Sequence, residues 1–236
     1  MINVRILAIA ILGTVLSAPS IYSQDLSRYR GFQFETGLPA IAKQAHLKPS
    51  DARAIHRRPA VIQELTWEAQ SFPSSSPGSE SVKNILFSFY NGELFRLVVT
   101  YDPDRIAGLT AEDIVEAVSA KYGNATRPDA EIILSSTHFY NGGEKIISDR
   151  SGKVLARWED SQYSFNLFQF SLESTFGMVM YSKRLDALAR AAIAESVRLD
   201  DQEAPQRETE RQKKKDEENR VRQEKARQAN KAPFRP

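Results

Sequence analysis

His46, His56 and His138 are the only histidines in the 236 residues, and there is no cysteine. A helical zinc site needs two imidazoles four residues apart, so that both face one ion. His46 and His56 are ten apart and match no such spacing. Without cysteine there is no thiolate alternative. A Ser-His-Asp nucleophile needs its serine on a strained elbow, marked by Gly-x-Ser-x-Gly, and no such run occurs. Ser151-Gly152-Lys153 lacks the glycine spacing of a phosphate loop and reads as a turn. Asp102, Asp104, Glu112 and Asp113 cluster in sequence, and paired carboxylates can do acid–base work. Asp102-Pro103-Asp104 nevertheless has turn composition. Glu112 and Asp113 fall in a helix's first turn, where the dipole favours acidic groups. These residues point to no catalytic, cofactor-binding or metal-ligating set, and the balance is against an enzyme.

Aromatic and basic residues offer binding instead. Trp67, Tyr90, Phe95 and Trp158 are the candidate partner contacts, although large aromatics more often fill cores. Residues 41–58 imitate a DNA-binding helix-turn-helix, with Arg53, Arg57 and Arg58 available for phosphates. A net charge of only +2 argues against nucleic acid.

The first 23 residues set the address. Arg5 precedes the apolar run Ile6 to Leu16, and small residues follow at Ser17, Ala18 and Ser20. This is the order of a secretory signal peptide, and the run is shorter than the ~20 residues a spanning helix needs. Export, periplasmic or secreted, with cleavage near Ser20–Ser23, is the expectation. With no cysteine for lipid attachment and no second long apolar run, no stable membrane anchor is expected. An exported chain without disulfides must be held by its core.

Several elements position these residues. A short strand over residues 30–35 precedes a helix capped at Thr36, with Pro39 in its first turn. A second short helix starts at Ser50 and ends before Pro59. Residues 60–69 read as a strand and residues 71–81 as a Ser/Pro/Gly-rich loop. Asn91-Gly92 favours a two-residue type I′ turn, which in regular register pairs Phe89 with Leu94, Phe87 with Arg96 and Ser88 with Phe95. Both faces of this hairpin are largely apolar, so it is expected to be central, covered on both sides. Thr110 and Asp113 have capping-box spacing, Leu109 and Ile114 suit a hydrophobic staple, and Gly123 is placed to end that helix. Ile132–Leu134, Lys145–Ser148 and Lys153–Glu159 are short strands. Residues 163–170 and 175–182 form a second hairpin, and residues 184–198 a closing helix. From residue 199 the chain is dominated by Glu, Lys, Arg and Gln, with acid-before-base pairs such as Asp216–Arg220 at helical spacing and no a/d seam for a coiled coil. It reads as a charged tail, helical or disordered.

The order helix, strand with Trp67-Glu68, hairpin is followed by helix, strand with Trp158-Glu159, hairpin. Together with Gly108-Leu109-Thr110-Ala111-Glu112-Asp113-Ile114 and Tyr122-Gly123, this resembles the helix-plus-antiparallel-sheet unit of the outer-membrane assembly lipoprotein BamE and the tandem units of beta-lactamase inhibitory protein. The missing lipid-attachment cysteine departs from the lipoprotein. The expectation is therefore an α+β protein of two such units. Residues 1–23 are the signal, residues 24–123 the first unit with the helix opening the second, residues 124–198 the second unit, and residues 199–236 the tail. The expected role is an exported non-enzymatic binding or scaffolding protein of the bacterial envelope with a protein partner, no cofactor and no nucleic acid. The alternatives are an envelope hydrolase, or a DNA-binding protein if the chain is not exported.

Overall fold

The computed structural model describes residues 25–69, 81–139, 145–171 and 175–231. The signal-like segment lies outside them. The centre of the fold is one curled antiparallel sheet of eight strands. Its strands are β3 (Arg53–His56), β4 (Ile62–Glu68), β5 (Val82–Tyr90), β6 (Glu93–Tyr101), β7 (Glu131–Phe139), β8 (Lys145–Glu159), β9 (Tyr163–Phe170) and β10 (Phe176–Ser182). The spatial order is β3-β4-β5-β6-β10-β9-β8-β7. A small hairpin, β1 (Arg28–Tyr29) and β2 (Phe32–Gln33), stands apart. Among the described residues there are three α-helices: α1 (Leu38–Gln44), α2 (Ala111–Tyr122) and α3 (Lys183–Lys231).

The central hairpin β5–β6 explains why the sheet is covered on both faces. Phe87, Phe89, Leu94, Leu97 and Val99 join the main core with Ile41 and Ala42 of α1, Ile114 and Val115 of α2, and Trp158, Phe165 and Leu167 from the far strands. Each fully buried side chain of this size stabilises by ~1.5–3 kcal/mol. On the opposite face Ile62 and Phe95 pack under Leu185 and Ala189 of α3. The turn is Asn91-Gly92 with both φ positive, at 48° and 86°, as the type I′ conformation requires.

The register departs from the regular one. Phe89 pairs with Leu94, but Ser88 pairs with Arg96, Phe87 with Leu97 and Ile85 with Val99. Phe95 is the extra residue of a β-bulge, which steps the strand by one position. Without that step the Arg96 guanidinium would enter the main core opposite Phe87, where an unpaired charge is very costly.

Other expectations need correction. No second helix follows α1. Pro49–Asp51 is a single 3-10 turn, and Arg53–His56 pairs with β4 as an edge strand, which removes the helix-turn-helix geometry. The strand expected over residues 30–35 is broken at Arg30, whose φ is 58°, and α1 is capped at Gly37 without a side-chain bond. The Thr110–Asp113 capping box is present in full, with Leu109 before it 49% accessible. Ser151-Gly152-Lys153 is no turn, because it runs inside the 15-residue strand β8. Nor does the closing helix stop at residue 198, since α3 continues unbroken to Lys231. In the tail Arg220 pairs with Glu217 rather than Asp216, and Asp216 accepts from Gln212.

Gly152 and Gly177 flank the ring of Phe168, which is fully buried on the α3 side of the sheet. A Cβ at Gly177 would stand 2.5 Å from that ring and 2.9 Å from the Val99 carbonyl oxygen, and one at Gly152 would stand 2.6 Å from the same ring. Gly177→Ala should therefore cost ~1–3 kcal/mol through overpacking, read from the urea midpoint. Combined with Phe168→Leu it should cost less than the sum of the two single changes. Strict additivity would contradict the slot.

Candidate functional site

The polar residues of the sheet are not scattered. On the α3 side, Glu64 of β4 faces Ser88 of β5, which faces Arg96 of β6. Arg96 faces Tyr181 of β10, which faces Ser164 of β9, which faces Glu159 of β8. One polar row thus crosses six strands. Asn166 and Arg157 widen it at the far end, facing each other in β9 and β8. Apolar clusters border it on both sides: Phe95 with the α3 residues, and Val98, Phe168, Phe170 and Val179 with Ile132 and Leu134 of β7.

The row opens into a cleft of about 340 Å3 between the start of α3 and β7. Arg96, Arg157 and Arg190 reach it, with Asn166, Tyr181 and Glu131. The Arg96 side chain is only 24% accessible. Its Nε is buried without a hydrogen-bond partner, and its nearest carboxylate, Glu64, is 3.8 Å from Nη2, too long for a hydrogen bond. Burial lowers the Arg96 pKa, with the Arg190 guanidinium adding to it, while Glu64 and Asp186 oppose. A guanidinium stays protonated through such a shift. Arg157 is oriented by donating from Nε to Asn166 Oδ1 at 2.6 Å, and Asn166 Nδ2 in turn donates to Ser164 Oγ at 3.1 Å. Arg190 Nε donates to Asp186 Oδ2 at 2.6 Å, leaving the Arg190 side chain 72% accessible at the rim. Buried Ser88 Oγ and Asp186 Oδ1 also lack partners. Groups left in this state cost stability, and clefts with convergent polar groups are where proteins retain them.

A second cleft, about 270 Å3, lies on the main-core side against α2. It is mainly apolar, lined by Ile106, Ile114, Val118 and Met178 with the phenols of Tyr29, Tyr101 and Tyr122. Tyr101 Oη donates to Met178 Sδ at 3.1 Å. Burial pushes all three phenols up, Tyr122 to about 12.

Of the predicted contact residues, Trp158 and Phe95 are each 1% accessible. The Trp158 indole N–H donates to the Gly123 carbonyl at 2.8 Å, tying β8 to the end of α2. Trp67 and Tyr90 are half-buried, against the main core and under α3 respectively, so the four are not brought together. His56 Nδ1 lies 2.9 Å from Ser196 Oγ. Ser196 is 3% accessible and sits in mid-helix, so the pair clips α3 to the edge strand rather than presenting a nucleophile. Glu112, Asp113 and Asp102 serve local ends: Glu112 pairs with Arg127, Asp113 caps α2, and Asp102 Oδ1 accepts from the Asp104 backbone N–H. Among the described residues no group of three His, Cys, Asp or Glu could hold a metal. The arginine cleft carried a signal in the sequence: Ser88, Arg96, Ser164 and Asn166 interrupt the largely apolar middles of their strands. No family model, no curated protein and no solved structure matches this chain.

Two outcomes follow from the geometry. Removing one member of a buried pair leaves the other charge uncompensated, whereas replacing both with apolar or neutral groups is neutral or stabilising. Arg96→Met alone should therefore lower the urea midpoint through the stranded Glu64 carboxylate, and Arg96→Met with Glu64→Gln should restore or raise it. A double variant as unstable as the single one would contradict this. The three phenols keep their protons in the folded state at a pH where the unfolded chain, at pKa ~10, has lost them. The phenols' contribution to stability should therefore be constant below pH 10 and fall as pH rises from 10 towards 12. Chemical unfolding at stepped pH, with phenolate absorbance, reads both.

Proposed function

We propose that the protein is an exported, non-enzymatic binding or scaffolding module of the bacterial envelope, built as a folded head with a stiff arm. The observation that carries this reading is the second half of α3. The helix docks on the sheet through Leu185, Ala189, Ala192 and Ser196, and Arg58 ties it to the head through Asp200 and Glu203. From Ala204 to Lys231 every residue is exposed. Pro205 removes one helical hydrogen bond where the helix leaves the head. At 1.5 Å per residue the free part reaches ~42 Å. Local pairs such as Glu208–Arg211, Glu217–Arg220 and Glu224–Arg227 support it, as a helix polar all round requires. An arm of this kind holds the head at a distance from an envelope partner.

The element order supports a finer reading. α1-β3-β4-β5-β6 and α2-β7-β8-β9-β10 have the same order of helix and four strands, and they meet at β6–β10. We read the sheet as two helix-plus-sheet units, in keeping with the resemblance to BamE and beta-lactamase inhibitory protein. Fold likeness by itself assigns no activity.

The test is fractionation of the native host with intact mass. The reading expects a chain starting between Ile21 and Asp25 in the periplasm or medium. Removing residues 204–236 should leave the urea midpoint of the head unchanged within ~0.5 kcal/mol, and in the intact chain a photoreactive group at exposed Val221 should cross-link to envelope proteins. A full-length cytoplasmic chain would overturn the reading.

A further inference from the structure

We propose that the arginine cleft is a binding site for a small monocarboxylate with an apolar body. The head group is set by the guanidiniums. Arg96 brings a buried Nε with no partner. Arg157 spends Nε on Asn166 and makes no other side-chain hydrogen bond among the described residues, so its two terminal nitrogens are left for a planar, bidentate acceptor. Arg190 adds a third cation at the rim. The charge balance is against a dianion. Glu131 lines the same cleft, and Glu64 and Asp186 act on the Arg96 guanidinium. Three cations against three carboxylates leave no net charge, so a single carboxylate is held by directed hydrogen bonds to the guanidiniums, and a second negative charge would add repulsion from exposed Glu131 at the rim. The body is set by the other wall. Ile132, Leu134 and Val179 line the cleft beside the polar row and belong to the apolar cluster around Phe168. A volume of about 340 Å3 is at the small end of the ~300–1,000 Å3 typical of small-molecule sites, which suits a short acid rather than a long chain.

The same head group is carried by a free organic acid and by the C-terminus of a peptide ending in an apolar residue. Isothermal titration of the full chain with octanoate, octanamide, inorganic phosphate, and a short acetylated peptide ending in Leu-Leu as acid and as amide separates them. The expected result is saturable one-to-one binding of octanoate, at least tenfold weaker for octanamide. Arg157→Gln and Arg96→Met should each weaken it at least tenfold, with near-ultraviolet dichroism unchanged. Binding of the peptide acid but not its amide would support the carboxylate site and assign its source to a chain end. Equal affinity for octanoate and octanamide, tighter binding of phosphate, or binding indifferent to both arginine variants would each overturn the proposal. None of these results depends on export or on the arm, so the site can fail while the module reading stands, and the reverse.

Discussion

The extra residue at Phe95 divides the sheet into its two chemistries. Upstream of the bulge the hairpin register follows the Asn91-Gly92 turn, with Phe89 opposite Leu94. Beyond it every residue of β6 has moved one place, so Leu97, Val99 and Tyr101 face the main core while Arg96 faces α3. A slip of one residue inverts every side chain of a strand, and here the inversion keeps a guanidinium out of a core made of Phe87, Leu97, Trp158 and Phe165. Phe95 itself is not wasted. It becomes the floor on which Leu185 and Ala189 dock. One inserted position therefore completes the main core, seats α3 and starts the polar row.

That polar row explains why the α3 face is built in patches. An antiparallel sheet covered on one face by α1 and α2 would ordinarily turn the other to water. In this chain both sides of the central hairpin are apolar, so a second cover is required, and α3 supplies it over β5 and β6. The buried α3 residues Leu185 and Ala189 pack on Ile62 and Phe95 and are not part of the cluster around Phe168 and Phe170 of β9. There the curl of β7 brings Ile132 and Leu134 over Phe168, Phe170 and Val179. The cleft lies where the two covers fail to meet. The unpartnered Arg96 Nε beside it is a cost that a purely structural sheet has no reason to carry.

Elements fixed by local chemistry were legible in the sequence. The Asn91-Gly92 turn, the Thr110–Asp113 capping box, the Gly123 helix end and the two hairpins follow from residues within a few positions of one another. What failed depends on distant partners. The bulge at Phe95 is decided by which face Phe87 must share with Trp158. The strand character of Arg53–His56 comes from β4 overriding a helical pattern. Gly152 reads as a turn residue until the Phe168 ring is known to lie against it. The tail's pair spacing left helix and disorder both open, and its docking through Arg58 left no mark in the sequence, since residues 58 and 203 meet only in three dimensions. The cleft left a fainter mark, polar residues inside apolar strands, legible as an anomaly but not as a place until the register joined them into one row.

The most direct test of the account is the register of the central hairpin in solution, read from cross-strand nuclear Overhauser contacts between β5 and β6. The account predicts contacts of Ser88 with Arg96 and of Phe87 with Leu97, with Phe95 unpaired. Contacts of Ser88 with Phe95 and of Phe87 with Arg96, the register of an unbulged hairpin, would place the guanidinium on the core side and contradict it.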